Sequence, residues 1–569
     1  MSRRGTFATS ACAVAGLLAI AGCGTSFDRE RQRVLYEVQQ GQYPTAKARV
    51  NDLYDCHQAG EPRKPGKSAE SSASLPDKHL LLWRMERGLI ANLAGDLAEA
   101  DVLLDQAADL VDVRRTESLA AETGTFLLND TLRAYAGRGY EHIQVDYYRI
   151  LNQLLEAQKD LGLTGASASA APPSADSANS HYEHAMVRAR RMTLEQLKET
   201  EDAAASHRYH DDPFARFLAG AVCWALPPGE RRDTDQQFAQ VMFKRSLEAY
   251  EAEATALAHD EHFHYEVTRR PQLVERLFLR HALSYDPQDF EHQAERYHLS
   301  ADRHAALAPG HGMLLVLDHV GYVVRPQVLS IGFGTFAPPL NDSDRRQGAT
   351  SSTFRIGALG FWAKGPGSDV VGAWVVPLPD EIMRHMTPGG MAVMGLEMPV
   401  HEHEHTHSSP ARVVITSITP TDAMVPADAE LEVVSDLDAY ARATLKDEQP
   451  RLLAKTITRA VGKQIAVAQG AIQAKKASGG GAQGNLVGLA VNLLGSAAAT
   501  FSEQADTRAW TTLPDHIEAA LVDVPVGTYS LSLDTRYGTV PLGQVTIPAG
   551  QLVVVPARTF PERVPEPHD

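Results

Sequence analysis

Apolar positions recur at intervals of three and four from about Asp28 to Ala308, with few β-branched runs, and this period predicts α-helices across the first half of the chain. Leu80–Asp112 reads as two amphipathic helices around the turn Ala94-Gly95-Asp96, and Gln32–Tyr54 repeats the arrangement around Gly41-Gln42-Tyr43. Two further hairpins are predicted, Glu141–Leu161 with His181–Thr200 and Pro213–Leu226 with Asp235–Ala252. The Ala/Ser/Pro-rich stretch 165–180 and the polar stretch 59–73 have the composition of loops.

From Gly310 the pattern changes to short β-rich runs separated by Gly and Pro: Met313–Leu317, Gly321–Val324, Val370–Val376, Ala392–Leu396 and Ala411–Ile418. Asp436–Lys476 returns to helix, a Gly-rich linker follows at 478–484, and the apolar run Asn485–Phe501 is shorter than the roughly 20 residues a membrane span needs. The last portion, Ile517–Val524, Gly527–Leu533, Gly543–Ile547 and Gln551–Pro556, alternates as antiparallel strands do. The expected fold is therefore α+β and multidomain. It comprises a helical-repeat domain over 23–308, a central irregular β region over 309–435, a helical hairpin over 436–502, a small antiparallel C-terminal β module over 503–560 and a tail, 561–569.

The helical part fits a tetratricopeptide-like α-solenoid. Set on that repeat's pattern, Gly88, Ala100, Leu104 and Ala107 occupy the small and apolar positions where paired helices touch. Ala46, Val50 and Leu53 take corresponding places in the preceding unit, as do Gly220, Ala239 and Phe243 in a later one. Arg84 and Ala91 stand where bulky aromatics are usual, so the repeats are divergent. Such hairpins bury their apolar faces only by stacking.

The N-terminus changes the picture of where the chain works. Arg3 and Arg4 precede an apolar stretch, Ala8–Ile20, too short to span a bilayer, and Ile20-Ala21-Gly22-Cys23 resembles a bacterial lipobox. Cleavage of a 1–22 signal peptide would leave Cys23 as the first residue and the acceptor of a covalent lipid, which holds a protein on a membrane without any spanning helix. Gly24 follows Cys23 where an Asp resembles an inner-membrane retention signal, so the periplasmic face of the outer membrane is expected. Loss of Arg3 and Arg4 takes the formal charge from −17 to −19, which argues against nucleic acid as partner. Once Cys12 is removed and Cys23 lipidated, only Cys56 and Cys223 remain to form a disulfide or to stay as buried thiols.

Three segments together resemble a family of bacterial lipoproteins of uncharacterised function: Gly139-Tyr140-Glu141-His142 with Asp146-Tyr147-Tyr148, the block Asp211–Gly220, and Glu503–Pro514, which contains A-D-T-R-A-W-T-T-L-P. The resemblance covers most of the mature chain. It implies tetratricopeptide-like helices, a central β region and a C-terminal piece, and a role in the cell envelope that it does not name; an envelope protein partner is expected separately, of the helical scaffold. The insert at 165–180 and the His-rich 401–407 depart from that pattern.

The candidate chemistry is sparse. His401, His403, His405 and His407 alternate with Glu402, Glu404 and Thr406, so that an extended tract would present four imidazoles on one face, a donor set suited to Zn²⁺, Ni²⁺ or Cu²⁺. His259, His262 and His264 form a smaller cluster. The sequence contains no nucleophile elbow, phosphate loop, zinc-protease helix or paired-Cys site, and Gly332-Phe333-Gly334 and 479–484 read as a turn and a linker. Asp506, Arg508 and Trp510 could form either a binding site or a clasp, an Asp-Arg pair locking a turn that the indole anchors. These features suit a non-enzymatic envelope scaffold; the alternative is a metal- or glycan-binding lipoprotein using the 401–407 loop.

Overall fold

The computed structural model describes residues 27–56, 78–121, 133–164, 174–202, 211–257, 265–301, 306–336, 358–364, 372–377, 393–401, 410–418, 425–450 and 506–561, with 452, 473, 477 and 564. Side chains within 116–132, 199–210 and 327–409 lie outside the description. The chain is mixed α and β, with a helical N-terminal part followed by three four-stranded sheets.

The helices are α1 (27–39), α2 (Tyr43–Tyr54), α3 (Leu80–Leu93), α4 (Leu97–Ala121), α5 (Gly139–Asp160), α6 (Ala175–Asp202), α7 (Pro213–Ala225), α8 (Asp233–Leu257), α9 (Gln272–Tyr285) and α10 (Phe290–Arg296). The ends of α1, α3 and α5 share one geometry. Gly41, Gly95 and Gly162 adopt φ of +69°, +78° and +68°, and the amide after each donates to a carbonyl five residues back: Gln42 to Glu37, Asp96 to Ala91, Leu163 to Gln158. Glycine occupies these positions because a left-handed residue closes the helix at no steric cost.

Small residues bring the paired helices close. A Cβ on Gly88 would lie 2.9 Å from Leu104, and one on Gly220 2.8 Å from Phe243, so the first helix of a pair sits directly against the second. Ion pairs then tie together alternate helices: Arg188 on α6 reaches Asp101 and Asp105 on α4, and Arg190 pairs with Asp235 on α8. The helices thus form two layers, with α4, α6 and α8 outermost. The inner layer meets the β structure, where Gln158 of α5 clamps Val554 through both its backbone N–H and C=O at 2.7 and 2.8 Å.

The strands are β1 (His311–Val320), β2 (Pro326–Phe336), β3 (Ala358–Lys364), β4 (Gly372–Pro377), β5 (Val393–His401), β6 (Arg412–Ser417), β7 (Asp428–Glu430), β8 (Glu432–Asp436), β9 (His516–Pro525), β10 (Gly527–Thr535), β11 (Gly538–Ile547) and β12 (Leu552–Thr559). Here the expected domain plan is corrected. The central β region and the C-terminal β module are not separate, because β1 pairs with β9 and β12 in a sheet of order β12-β1-β9-β8, and β6 and β7 join β10 and β11 in a second sheet. Nor is the module purely antiparallel: β1 and β12 run parallel, with Met313 opposite Leu552.

Strand alternation explains how one sheet serves two cores. Met313, Leu315, Leu317, Ile517, Leu521 and Val554 belong to the core shared with the helices. Their neighbours Leu314, Val316, Val522, Val553 and Val555 pack with Val413, Ile415, Leu531 and Ile547 of the second sheet. A strand buried on both faces reads as a continuous apolar run, which is what Met313–Leu317 shows. The third sheet, β4-β3-β2-β5, is antiparallel and formed by chain inserted between β1 and β6. Of the expected 436–502 hairpin, residues 437–450 form α11; Asn485–Phe501 lies outside the described residues. Among the described residues no helix is long and apolar enough to cross a membrane.

Candidate functional site

The segment 506–515 threads between α3, α5 and the first sheet, and two buried glutamates grip it. Glu86 of α3 accepts hydrogen bonds from the backbone N–H of Thr511 (2.8 Å) and Thr512 (3.3 Å) and from both threonine hydroxyls (2.9 and 2.5 Å). Glu141 of α5 accepts from Trp510 N–H at 2.8 Å on one oxygen, and from Tyr135 Oη and Arg138 N–H on the other. The bond from Arg138 N–H caps the N-terminus of α5, so one carboxylate fixes both the helix and the strap across it. Burial pushes the Glu86 carboxyl up, and its four donors pull against that shift.

Trp510 is fully buried, its Nε1 donating to Thr512 Oγ1 at 3.1 Å. Arg508 forks onto Asp506 at 2.8 and 2.6 Å, donates to the carbonyls of Lys78 and Arg133, and lies 5.3 Å from the Tyr135 ring centroid. Asp506, Arg508 and Trp510 are therefore brought together in the geometry of a clasp, with the indole enclosed. The other two segments singled out with this block converge on it. Tyr148 lies 6.1 Å from Trp510, Tyr147 6.2 Å from Phe214, and Asp212 caps α7 by accepting from Ala215 N–H at 2.9 Å.

A second buried cluster, which the sequence did not reveal, lies beneath the clasp. Asp318 and Glu518 are cross-strand partners, and His516 sits between Asp515 (3.5 Å) and Glu518 (3.4 Å). Burial alone would lower the His516 pKa, but hydrogen bonding and the charges of both carboxylates push it up to about 10. Burial, then the nearby Glu518, pushes Asp318 up to about 7 against the bond from Thr559 Oγ1. Burial raises Asp436, the N-cap of α11, to about 8. These groups sit on β1, β8 and β9, strands separated in sequence, so no spacing pattern could signal them.

This cluster has a pH signature. A carboxyl whose folded pKa is raised holds its proton in the folded state when the unfolded chain has already released it. Its stabilising contribution is complete below the unfolded value of about 3.9 and is lost as pH rises to about 7 for Asp318. Asp318→Asn, which stays neutral and can still accept from Thr559, is expected to flatten the decline in stability between pH 4 and 7 and to gain on the order of 2 kcal/mol at pH 8. Denaturant unfolding across that range measures it; parallel curves for variant and wild type would contradict it.

The remaining expected sites fall as follows. His401 ends β5, opposite Pro326 in the register with β2. His403, His405 and His407, like His259, His262, His264 and Cys23, lie outside the described residues. Cys56 and Cys223 are both buried and free rather than bridged, and burial pushes each thiol up to about 12.

A cleft of about 420 Å³ opens where the C-terminal end of α7, the end of α9, the segment entering β1 and the turn at Ala549-Gly550 meet. Its lining includes Trp224, Arg231, Arg280, Leu283, Ser284 and His311, and no carboxylate among the described residues. Arg280 forks onto Asp523 at 2.8 and 2.7 Å. Arg231 lies 4.4 Å from the Trp224 ring centroid and, among the described residues, donates to three carbonyls, those of Leu226, Trp224 and Gly550. Burial pushes its pKa down to about 10. Compared with protein-family models, curated proteins and solved structures, the chain has no match in any of the three.

Proposed function

We propose that the protein is a non-enzymatic scaffold of the cell envelope, held through a lipid on Cys23 at the periplasmic face of the outer membrane, whose tetratricopeptide-like helical stack docks a protein partner. The observation that carries this reading is the distribution of exposed apolar side chains. Of the large hydrophobic residues exposed among the described ones, Val102 and Val113 lie on α4, Val187, Leu194 and Leu197 on α6, and Val241 on α8; only Ile418, Val526 and Tyr537 lie elsewhere.

Val187 and Leu194 are seven residues apart and so share one face of α6, at 61% and 60% exposure. Apolar groups gathered on adjoining outer helices, rather than scattered singly, suit a protein-docking surface. The inner layer supports the reading from behind, because its clasp to the β sheets holds the outer helices as a fixed platform.

The variant Val187→Glu/Leu194→Glu tests it. Full-length protein solubilised from its native membrane is expected to lose its partner and elute at smaller size than wild type. Stability should change by no more than about 0.5 kcal/mol per site, since neither side chain is buried. Unchanged elution would contradict the proposal.

A further inference from the structure

The geometry points to the cleft between α7, α9 and the entry to β1 as a binding site for a carboxylate carried next to a small aliphatic group. The first ground is charge. In a chain of formal charge −17, a cleft whose described lining holds two arginines and a histidine and no carboxylate is a local reversal of sign. The second is the state of those arginines. Asp523 neutralises Arg280, whereas Arg231, withdrawn from water against the Trp224 ring, has no carboxylate within ion-pair distance among the described residues. A partly desolvated cation gains most from an anion that enters beside it.

The number of available donors selects the kind of anion. The Nε and Nη2 of Arg231 are held by the carbonyls of Leu226, Trp224 and Gly550, which leaves Nη1 as the guanidinium nitrogen without an acceptor among the described residues. One such nitrogen suits a carboxylate better than a phosphate, whose charge calls for several donors. Leu283, Leu307 and Pro228 supply the apolar wall for the aliphatic flank, and a volume of about 420 Å³ lies in the range of small-ligand pockets. A peptide C-terminus and a free small acid offer the same chemistry.

Calorimetry on the full-length protein separates the possibilities with three probes: N-acetyl-Ala-Leu as the free acid, the same dipeptide as its C-terminal amide, and 4-methylpentanoate. The dipeptide acid is expected to bind at least about tenfold more tightly than its amide, the advantage of a charge-assisted hydrogen bond. Comparable binding of 4-methylpentanoate identifies a free acid as sufficient, and its weaker binding identifies a peptide end; both outcomes support the carboxylate. Arg231→Gln should reduce acid binding to the level of the amide, and Arg231→Lys should restore part of it. Because Arg231 also ties the α7 end to Gly550, Leu283→Trp provides a second variant that fills the cleft and leaves the arginine in place. It too should abolish binding. Equal affinity for acid and amide, no binding of either acid at 10 mM probe, a concentration on the order of the weakest specific affinities, or undiminished binding by folded Arg231→Gln or Leu283→Trp would overturn the inference.

Discussion

Replacing Trp510 with alanine is expected to destabilise the protein by about 3–5 kcal/mol, as the largest core truncations do. The indole is fully buried, lies 6.1 Å from Tyr148 and belongs to the core that joins the helices to the first sheet. No collapse of one element can fill the space, because α3, α5 and the sheet are held apart by their own contacts. The loss should also change how the chain is cut: limited proteolysis of the variant is expected to begin near residue 500, at the strap the indole no longer anchors. A Trp510→Ala protein that melts with wild type and resists protease would remove the clasp from the account.

Glu86→Ala is expected to cost about 3 kcal/mol or more, although it removes a smaller side chain. The reason is what it leaves behind. Thr511 and Thr512 would retain two buried N–H groups and two hydroxyls with no acceptor, each unsatisfied buried donor costing about 1–3 kcal/mol. Glu86→Gln separates charge from shape, since its carbonyl oxygen keeps two of the four bonds while its amide turns a donor toward the others. Its cost should fall between zero and that of alanine. Equilibrium unfolding of the three proteins ranks them, and an alanine variant within about 0.5 kcal/mol of wild type would show that the glutamate does not hold the strap.

Much of the helical half is legible in local pattern because its contacts are local. Leu80–Leu93 and the first part of Leu97–Ala121 fall within the predicted Leu80–Asp112 hairpin, the second helix running on past Asp112, and Gly95 marks the turn since only glycine closes it without strain. Several β strands were legible one by one, but β2, β3, β7 and β8 were not, Gly332-Phe333-Gly334 lies within β2 rather than in a turn, and Gly321–Val324 forms no strand. The partners were not legible at all: Met313 meets Leu552 and Val316 meets Ala520 across some two hundred residues, and no period in the sequence records such pairing. That is why two expected β modules proved to be shared sheets. At the candidate site, Asp506, Arg508 and Trp510 stood out as a motif and Glu141 stood in a segment singled out with it but with no role, whereas Glu86, which also holds that motif, looked like an ordinary acidic position on an amphipathic helix. Their role depends on burial, and burial of a charge is hidden in a helical pattern until the segment that satisfies it is placed.

The docking surface is tested most directly by photocrosslinking in living cells of the native host, with a photoreactive residue placed singly at Val187, Leu194 or Val241 and, for comparison, at Tyr537 in the turn between β10 and β11. The account predicts a discrete adduct of one size from the three helical positions, absent from Tyr537 and lost when Val187→Glu is introduced beside the Leu194 probe. No adduct from any of the three, or equal adducts from all four, would contradict a partner held on the outer helices.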